Sequence, residues 1–560
     1  MASEFARQKL RAARAEILRG LRAMRERGPS QIQFWFIALA IGIAAGFAAL
    51  LFRAGIEALQ SLLYGTDDVA YLHTFAESLP WYWILAIPII GGAVVGQILH
   101  RFTPDARVRS VADVIEGAAM QDGRVEGRAG VASALASLIT LSTGGSSGRE
   151  GPVVHMAAVI SSWVSKKLDA GGITGRDLLG CAVAAAVSAS FNAPIAGALF
   201  ALEVVLRHFA LHAFAPIVIA SVAGTVINRL YFGDVTEFTL PADSSVLAFY
   251  VELPAFLILG LVCGGVAAAL MRAIFIGEDL ASHVQRKYAL ARWARPMIAG
   301  ALLGALAIGF PHIIGVGYET TSRALTGQLL LQEAIIFAVI KVIAVAITIG
   351  GRMGGGVFSP SLMVGALTGL AFGTIATGIF PEVSGANTLY ALAGMGAVAA
   401  AVLGAPISTT LIVFELTGDW QTAIAVMVAV SMSTAIGSKL VHRSFFLTQL
   451  ERRNVHLAAG PQAYLLSMFR IEPLMKRRGE EGSPEEETLW ELVQEGTYVD
   501  ANGTLEAAMP VFERTGVRFL PVVRLSGEAT PPELLGSLRH VDALKAYNRA
   551  LAATAAEEHS

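Results

Sequence analysis

Between Phe34 and Phe52 the chain reads FWFIALAIGIAAGFAALLF, nineteen residues without a charge. At 1.5 Å per residue this is about 28 Å of helix, enough to cross the ~30 Å hydrocarbon core of a bilayer. Further apolar stretches follow at roughly 81–99, 130–143, 153–164, 180–202, 214–228, 247–275, 297–315, 334–349, 361–380, 389–416 and 423–437. Several fall short of the ~20 residues that a crossing helix needs. A helix that stops inside the bilayer frees backbone N–H and C=O groups. These are tolerated only where protein buries them or a watery cavity meets them. The pattern predicts an all-α polytopic membrane protein whose broken and tilted helices surround a transport pathway.

Composition agrees: 54 % of the 560 residues are hydrophobic and 15 % charged, too apolar for a soluble chain of this size. Charge is uneven. Positions 29–450 carry 46 Asp, Glu, Lys or Arg, whereas the 110 positions from 451 to 560 carry 29. A membrane body (29–450) is therefore expected to precede a cytoplasmic tail (451–560). Residues 1–28 hold eight Lys or Arg against three Glu and no long apolar core. They read as a basic amphipathic helix on the cytoplasmic face rather than a signal peptide. Both termini are then cytoplasmic, and the plasma (inner) membrane is the expected location. A net charge of −2 gives no reason to expect a nucleic-acid partner. Cys181 and Cys263 lie in apolar segments and read as inert thiols. Nothing resembles a metal-ligand cluster, nucleophile elbow or phosphate loop, so no enzyme activity and no required cofactor are expected.

The body repeats itself. FNAPIAGALFALE (Phe191–Glu203) and LGAPISTTLIVFE (Leu403–Glu415) share Ala-Pro-Ile, with a Leu five and a Glu nine residues after the proline. Upstream, TLSTGGSSGREGP ends at Pro152 and AITIGGRMGGGVFSP at Pro360. The order of parts is the same in two repeats, about 80–235 and 290–440. Internal repeats with broken helices mark many transporters, and their sites lie where the broken ends meet. Each glycine-rich break leads into a helix whose first N–H groups are unpaired and carry a partial positive charge. Two such ends aimed at one point would bind an anion, held weakly enough to leave. Glu150 is itself an anion at that point. Its carboxylate can occupy the helix end until chloride or a proton displaces it, which would make it a gate. The alternatives are a pair with Arg149 or simple stabilisation of a helix end.

With these motifs, residues 30–450 resemble the CLC family of chloride channels and chloride/proton exchangers. GREGP (148–152) and GGGVFSP (354–360) are similar to two of its filter motifs, and the two Ala-Pro-Ile helices to its repeat helices. The resemblance implies an inverted repeat, a homodimer in the lipid bilayer with one pore per subunit, and chloride as bound ligand. It implies Glu150 as gate, and an anion site lined by backbone around Arg149, Glu150, Gly151, Gly356, Val357 and Phe358.

Three departures matter. VRSVADVIEG (108–117) keeps Ser110 where the family has a Gly-Ser-Gly-x-Pro loop, but loses the flanking glycines and the proline. Ser110 can face the anion or cap a helix over 111–119. Phe446 stands where the family often has a tyrosine, so it can close the inner mouth but donates no hydrogen bond. Val204 follows Glu203 where exchangers commonly carry a second, proton-relaying glutamate. That favours a passive anion channel over an exchanger that uses another internal proton path. Glu203 and Glu415 read as structural helix-end contacts. His155 reads as a core histidine or a proton donor. Lys341 should meet an ion-pair partner or face the vestibule.

The tail resembles a CBS (cystathionine-β-synthase-type) motif: helix 504–515, strands 519–523 and 533–539, and helix 541–551. The family's motifs pair to bind adenine nucleotides. Here one copy is clear, with a degenerate partner at most in 464–495. Asp542 is the candidate ribose contact, or a helix N-cap. A small α/β domain that braces or regulates the body is expected. A membrane-embedded nucleotide sensor is the reading from a different functional class.

Overall fold

A computed structural model describes residues 30–66, 68–170, 172–209, 211–233, 238–240, 252–382, 384–455, 457, 466, 469–524 and 533–558. The helix expected over 1–28 lies outside the described residues. Among those described, seven helices are long and apolar enough to cross a membrane.

The first series runs α1 (Gln31–Tyr64), α2 (Leu72–Ala76), α3 (Trp81–Phe102), α4 (Val111–Met120), α5 (Gly127–Ser142), α6 (Glu150–Leu168), α7 (Gly172–Phe191), α8 (Pro194–Phe200) and α9 (Leu211–Phe232). Helix α8 continues into a π-helical turn, Ala201–Leu206. The second series is α10 (Leu253–Lys287), α11 (Ala294–Gly309), α12 (Tyr318–Leu325), α13 (Leu331–Gly350), α14 (Phe358–Ile379), α15 (Asn387–Leu403), α16 (Pro406–Thr417) and α17 (Trp420–Leu440). A short α18 (Phe445–Glu451) closes the body. Helices α3 to α9 match α11 to α17 one for one. Helix α1 packs on α9 and α7, as α10 packs on α17 and α15. The repeats thus begin at α1 and α10, earlier than positions 80 and 290.

The apolar runs 180–202 and 389–416 each divide in two. Asn192 (φ 57°) and Gly404 (φ 70°) turn left-handed after α7 and α15, and proline then opens α8 and α16. Proline is tolerated in a first turn because its missing N–H would be unpaired there anyway. At 1.5 Å per residue, the twelve residues of α16 reach only about 18 Å.

Contacts between the halves are reciprocal. Ser146 N donates to Thr348 Oγ1 (3.1 Å) and Gly354 N to Thr140 Oγ1 (2.9 Å). Both pairs of equivalents, 140/348 and 146/354, are 208 positions apart. The Glu203 carboxylate accepts from the amides of Ile407 (2.9 Å) and Ser408 (2.8 Å). The Glu415 carboxylate accepts from Ile195 (2.9 Å) and Ala196 (2.7 Å), all equivalents 212 positions apart. Contacts in which i meets j and j meets i are the signature of a two-fold axis. The glutamates are the helix-end contacts that the repeat suggested.

Glycine lets these helices cross closely. A Cβ on Gly365 of α14 would lie 2.3 Å from the Gly394 carbonyl of α15, and one on Gly394 2.5 Å from the Gly365 carbonyl. Close backbone approach replaces the hydrophobic drive that lipid removes.

Beyond α18 a small sheet orders its strands β1-β4-β3-β2: β1 Lys476–Arg477, β2 Val499–Asp500, β3 Phe519–Arg524 and β4 Glu533–Arg539. Strand β4 is antiparallel to β1 and β3, and β2 is parallel to β3. Helices α19 (Glu486–Gln494), α20 (Leu505–Thr515) and α21 (His540–Glu558) accompany it. The four expected tail elements appear within a residue of their bounds, except that α21 runs on to Glu558. Of the expected degenerate copy (464–495), residues 464, 465, 467 and 468 lie outside the described residues. Among the described residues, ion pairs tie the sheet-containing part of the tail to the body, including Arg207 with Glu506 at 3.2 Å and Arg470 with Asp122.

Gly365→Ala should lower stability by about 1–3 kcal/mol, because the backbone it meets cannot yield. Gly265→Ala on α10, where a Cβ meets nothing within 4 Å, should be neutral. Thermal unfolding of the two variants in detergent compares them.

Burial raises the Glu506 carboxyl from its ordinary value near 4.5 to about 7, against the opposing pull of Arg207 and Arg176. The docked tail thus holds this proton more tightly than a freed tail would. The resulting stabilisation is complete below about pH 4.5 and is lost as pH rises through about 7. Melting temperature followed from pH 5 to 8 should fall more steeply in the wild type than in Glu506→Gln.

Candidate functional site: two helix ends crossing

The two glycine-rich breaks cross each other. Gly148 N donates to the Gly356 carbonyl and Gly356 N to the Gly148 carbonyl, both at 2.7 Å. These residues are again 208 positions apart, so the local axis passes between them. Glycine is required here. A Cβ on Gly355 (φ 117°) would lie 2.0 Å from Ser147 Oγ, and one on Gly356 3.1 Å from the Gly151 amide nitrogen. The freed backbone is satisfied by hydroxyls. Ser147 Oγ donates to the Gly354 carbonyl (3.0 Å), and Gly355 N donates to Ser137 Oγ (3.1 Å). From this crossing, α6 starts at Glu150 and α14 at Phe358.

A cavity of about 40 Å³ adjoins the crossing, room for a few water-sized bodies. Its lining includes Ser110, Glu150, Gly151, Gly356, Val357, Phe358 and Phe446. The structure therefore brings together seven positions taken from four separate sequence segments. Ser110 also precedes the first turn of α4, and its amide donates to Asp113 Oδ2 (2.8 Å). It faces the cavity and opens a helix at once, so the two readings of Ser110 are compatible.

Glu150 is 1 % exposed. Its carboxylate lies back over Gly148, where a Cβ would come within 2.5 Å of Oε2, and Ser359 Oγ donates to its Oε1. The Arg149 side chain goes elsewhere. It donates to the Ser190 carbonyl (3.0 Å) and lies 5.3 Å from the Tyr318 ring centre. It lines a second, wider cavity of about 1210 Å³, together with Arg53, His73, Glu319 and Arg323. Only the backbone of Arg149, just ahead of α6, belongs to the crossing.

Other positions fall outside the narrow cavity. Val204 is buried in the π-helical turn. His155 is buried one turn into α6 beside Gly130 of α5. Lys341 neither lines the vestibule nor forms an ion pair among the described residues. Its Nζ donates to the carbonyls of Ile313 (3.3 Å) and Gly315 (3.1 Å), which a turn between helices leaves unpaired. Asp542 is not an N-cap, since α21 begins two residues earlier, and it accepts from Arg539 Nε at 2.7 Å.

Sequence reasoning did not single out several residues that line the cavity or touch Glu150, among them Phe200, Phe445, Gln449 and Ser359. Phe200 and Phe445 add rings to the wall, and Phe358 lies between Phe191 (4.7 Å) and Phe200 (5.6 Å). Gln449 adds an amide, and Ser359 the hydroxyl on Glu150. Position 449 is one turn beyond Phe446 on α18, and helical spacing could have flagged it.

Residues 91–438 match the family described as voltage gated chloride channel. A protein of Ralstonia nicotianae, named as a ClcB-like chloride channel protein, is 32 % identical over 397 residues, 70 % of this chain and 91 % of the relative. Two solved structures share the fold. A slow cyanobacterial Cl⁻/H⁺ antiporter superimposes with TM-score 0.66 at 21 % identity, covering 75 % of this chain and 97 % of its own. A eukaryotic CLC transporter gives TM-score 0.65 at 18 % identity, covering 93 % of this chain and 98 % of its own. By its crossed helix ends and by this match over most of the membrane body, the chain belongs to the voltage gated chloride channel (CLC) family.

Proposed function

We propose that the protein conducts chloride passively across a membrane as a homodimer, with one pore in each subunit and Glu150 as its gate. One observation carries the reading: the Glu150 carboxylate lies where α6 and α14 begin, inside the cavity that their ends border. Unpaired amides there offer partial positive charge without a formal cation, so an anion can bind and leave. The carboxylate is a tethered competitor for that place. Ser359 holds it, and protonation or an arriving halide releases it. Apolar Phe445 and Phe446 face the same cavity and restrict passage through it.

Passive flow is favoured over exchange by Val204 and by the cavity wall. Among the described residues lining the narrow cavity, Glu150 is the one titratable group. The second reading, coupled exchange, is favoured by the fold shared with the cyanobacterial antiporter and by His155, whose buried Nδ1 has no hydrogen-bond partner among the described residues. We assign the tail a bracing role rather than nucleotide binding, since Asp542 is engaged by Arg539 and the tail is ion-paired to the body. No catalytic role and no cofactor enter this reading.

Reconstituted in liposomes, the protein should pass chloride down its gradient without moving protons. Uphill proton movement driven by a chloride gradient would replace this reading with exchange. Glu150→Gln should raise chloride flux and flatten its dependence on pH. Ser359→Ala should raise flux by roughly severalfold at neutral pH, as one charge-assisted hydrogen bond leaves the closed position. Flux in Glu150→Gln that still varied strongly with pH would remove Glu150 from the gate.

A further inference from the structure

The wall of the narrow cavity formed by α4 and α18 contains an amide that the filter motifs do not include. Phe446 and Gln449 are three residues apart on α18, hence on one helix face, and both line the cavity with Ser110 of the adjoining α4. Phe445 and Phe446 present rings and offer no N–H or O–H donor. The Gln449 Oε1 is fully buried and accepts no hydrogen bond among the described residues. A buried amide oxygen left without a donor is a cost that folded chains rarely carry. Of the amide's two ends only the NH₂ can donate, so an anion in the cavity would be met by the NH₂ and not by the oxygen.

We infer that the Gln449 side-chain amide is an anion ligand on the α4–α18 wall of the cavity, replacing the hydroxyl donor that Phe446 lacks. The inference rests on the anion-conducting reading and adds a residue to it. A carboxamide suits the task because it is a neutral dipole. Like the helix ends that border the same cavity, it stabilises a dehydrated halide without the full charge that would trap it. The anion would then meet the first backbone amides of α6 and α14 together with Ser110 and Gln449. Glu150 competes for the helix ends. Gln449 therefore sets affinity and choice of anion, while Glu150 sets access.

Chloride titration calorimetry on the full chain in detergent tests this. Gln449→Leu should raise the chloride Kd roughly tenfold or more. Gln449→Glu, nearly the same shape, should lose chloride binding at neutral pH because it faces the anion with a carboxylate. Gel filtration checks that both variants remain folded. Adding Phe446→Tyr to Gln449→Leu should recover part of the affinity, since the phenol returns a donor to the same wall. A Kd for Gln449→Glu within about twofold of wild type would overturn the assignment. So would equal losses in the Leu and Glu variants, which would mark a packing role. Absence of chloride binding and flux in the wild type would instead defeat the anion-conducting reading, and this inference with it.

Discussion

Two hydrogen bonds between glycines, Gly148 and Gly356, hold this molecule's central arrangement. In hydrocarbon a broken helix must satisfy its backbone within the protein. Here each break satisfies the other, and hydroxyls from Ser137, Thr140, Ser147 and Thr348 complete the set. Because the two breaks bond directly, the helices that leave them begin side by side. Their first N–H groups converge on the same small cavity. The site is thus a consequence of how the fold solves its own hydrogen-bonding problem. At Gly355 (φ 117°) a Cβ would lie 2.0 Å from Ser147 Oγ, so glycine there is what allows that approach.

The same logic explains where the formal charges go. Arg149 is adjacent in sequence to Glu150, yet its guanidinium is drawn to the Ser190 carbonyl and the Tyr318 ring, facing the wide cavity. Lys341 is occupied by the carbonyls of Ile313 and Gly315. Cations are therefore engaged by backbone oxygens or placed at the wide cavity, whose lining also carries Glu57, Asp68, Glu77 and Glu319. The narrow cavity is left to dipoles, which suit passage because they bind without trapping.

The repeat couples parts that the sequence separates. Glu203 closes the start of α16, and four residues later Arg207 pairs with Glu506 of the tail. The π-helical turn Ala201–Leu206 lies between these contacts. One segment thus connects the tail to the reciprocal clasp that holds α8 against α16. Phe200, just before that turn, lines the cavity and touches Phe358. A displaced tail has a short physical route to the cavity wall.

Much of this was legible in the residues. Apolar lengths predicted broken membrane helices, and the Ala-Pro-Ile and glycine-proline motifs predicted two related halves with converging ends. Glu150 could be named because a carboxylate stands at a glycine-rich helix start, whereas Ser110, Gly356, Val357, Phe358 and Phe446 could be named through the resemblance to the CLC family. Ser359 could not, since a lone hydroxyl has no spacing of its own and gains meaning only from its neighbour; for Gln449 the one available signal was its helical spacing from Phe446. The fate of Lys341 was hidden for the same reason, because its partners are carbonyls that any residue supplies. The sequence by itself determined that helices must break in pairs within the bilayer. Only the tertiary structure decided which atoms the broken ends meet, because that depends on two-fold packing between segments about 200 residues apart.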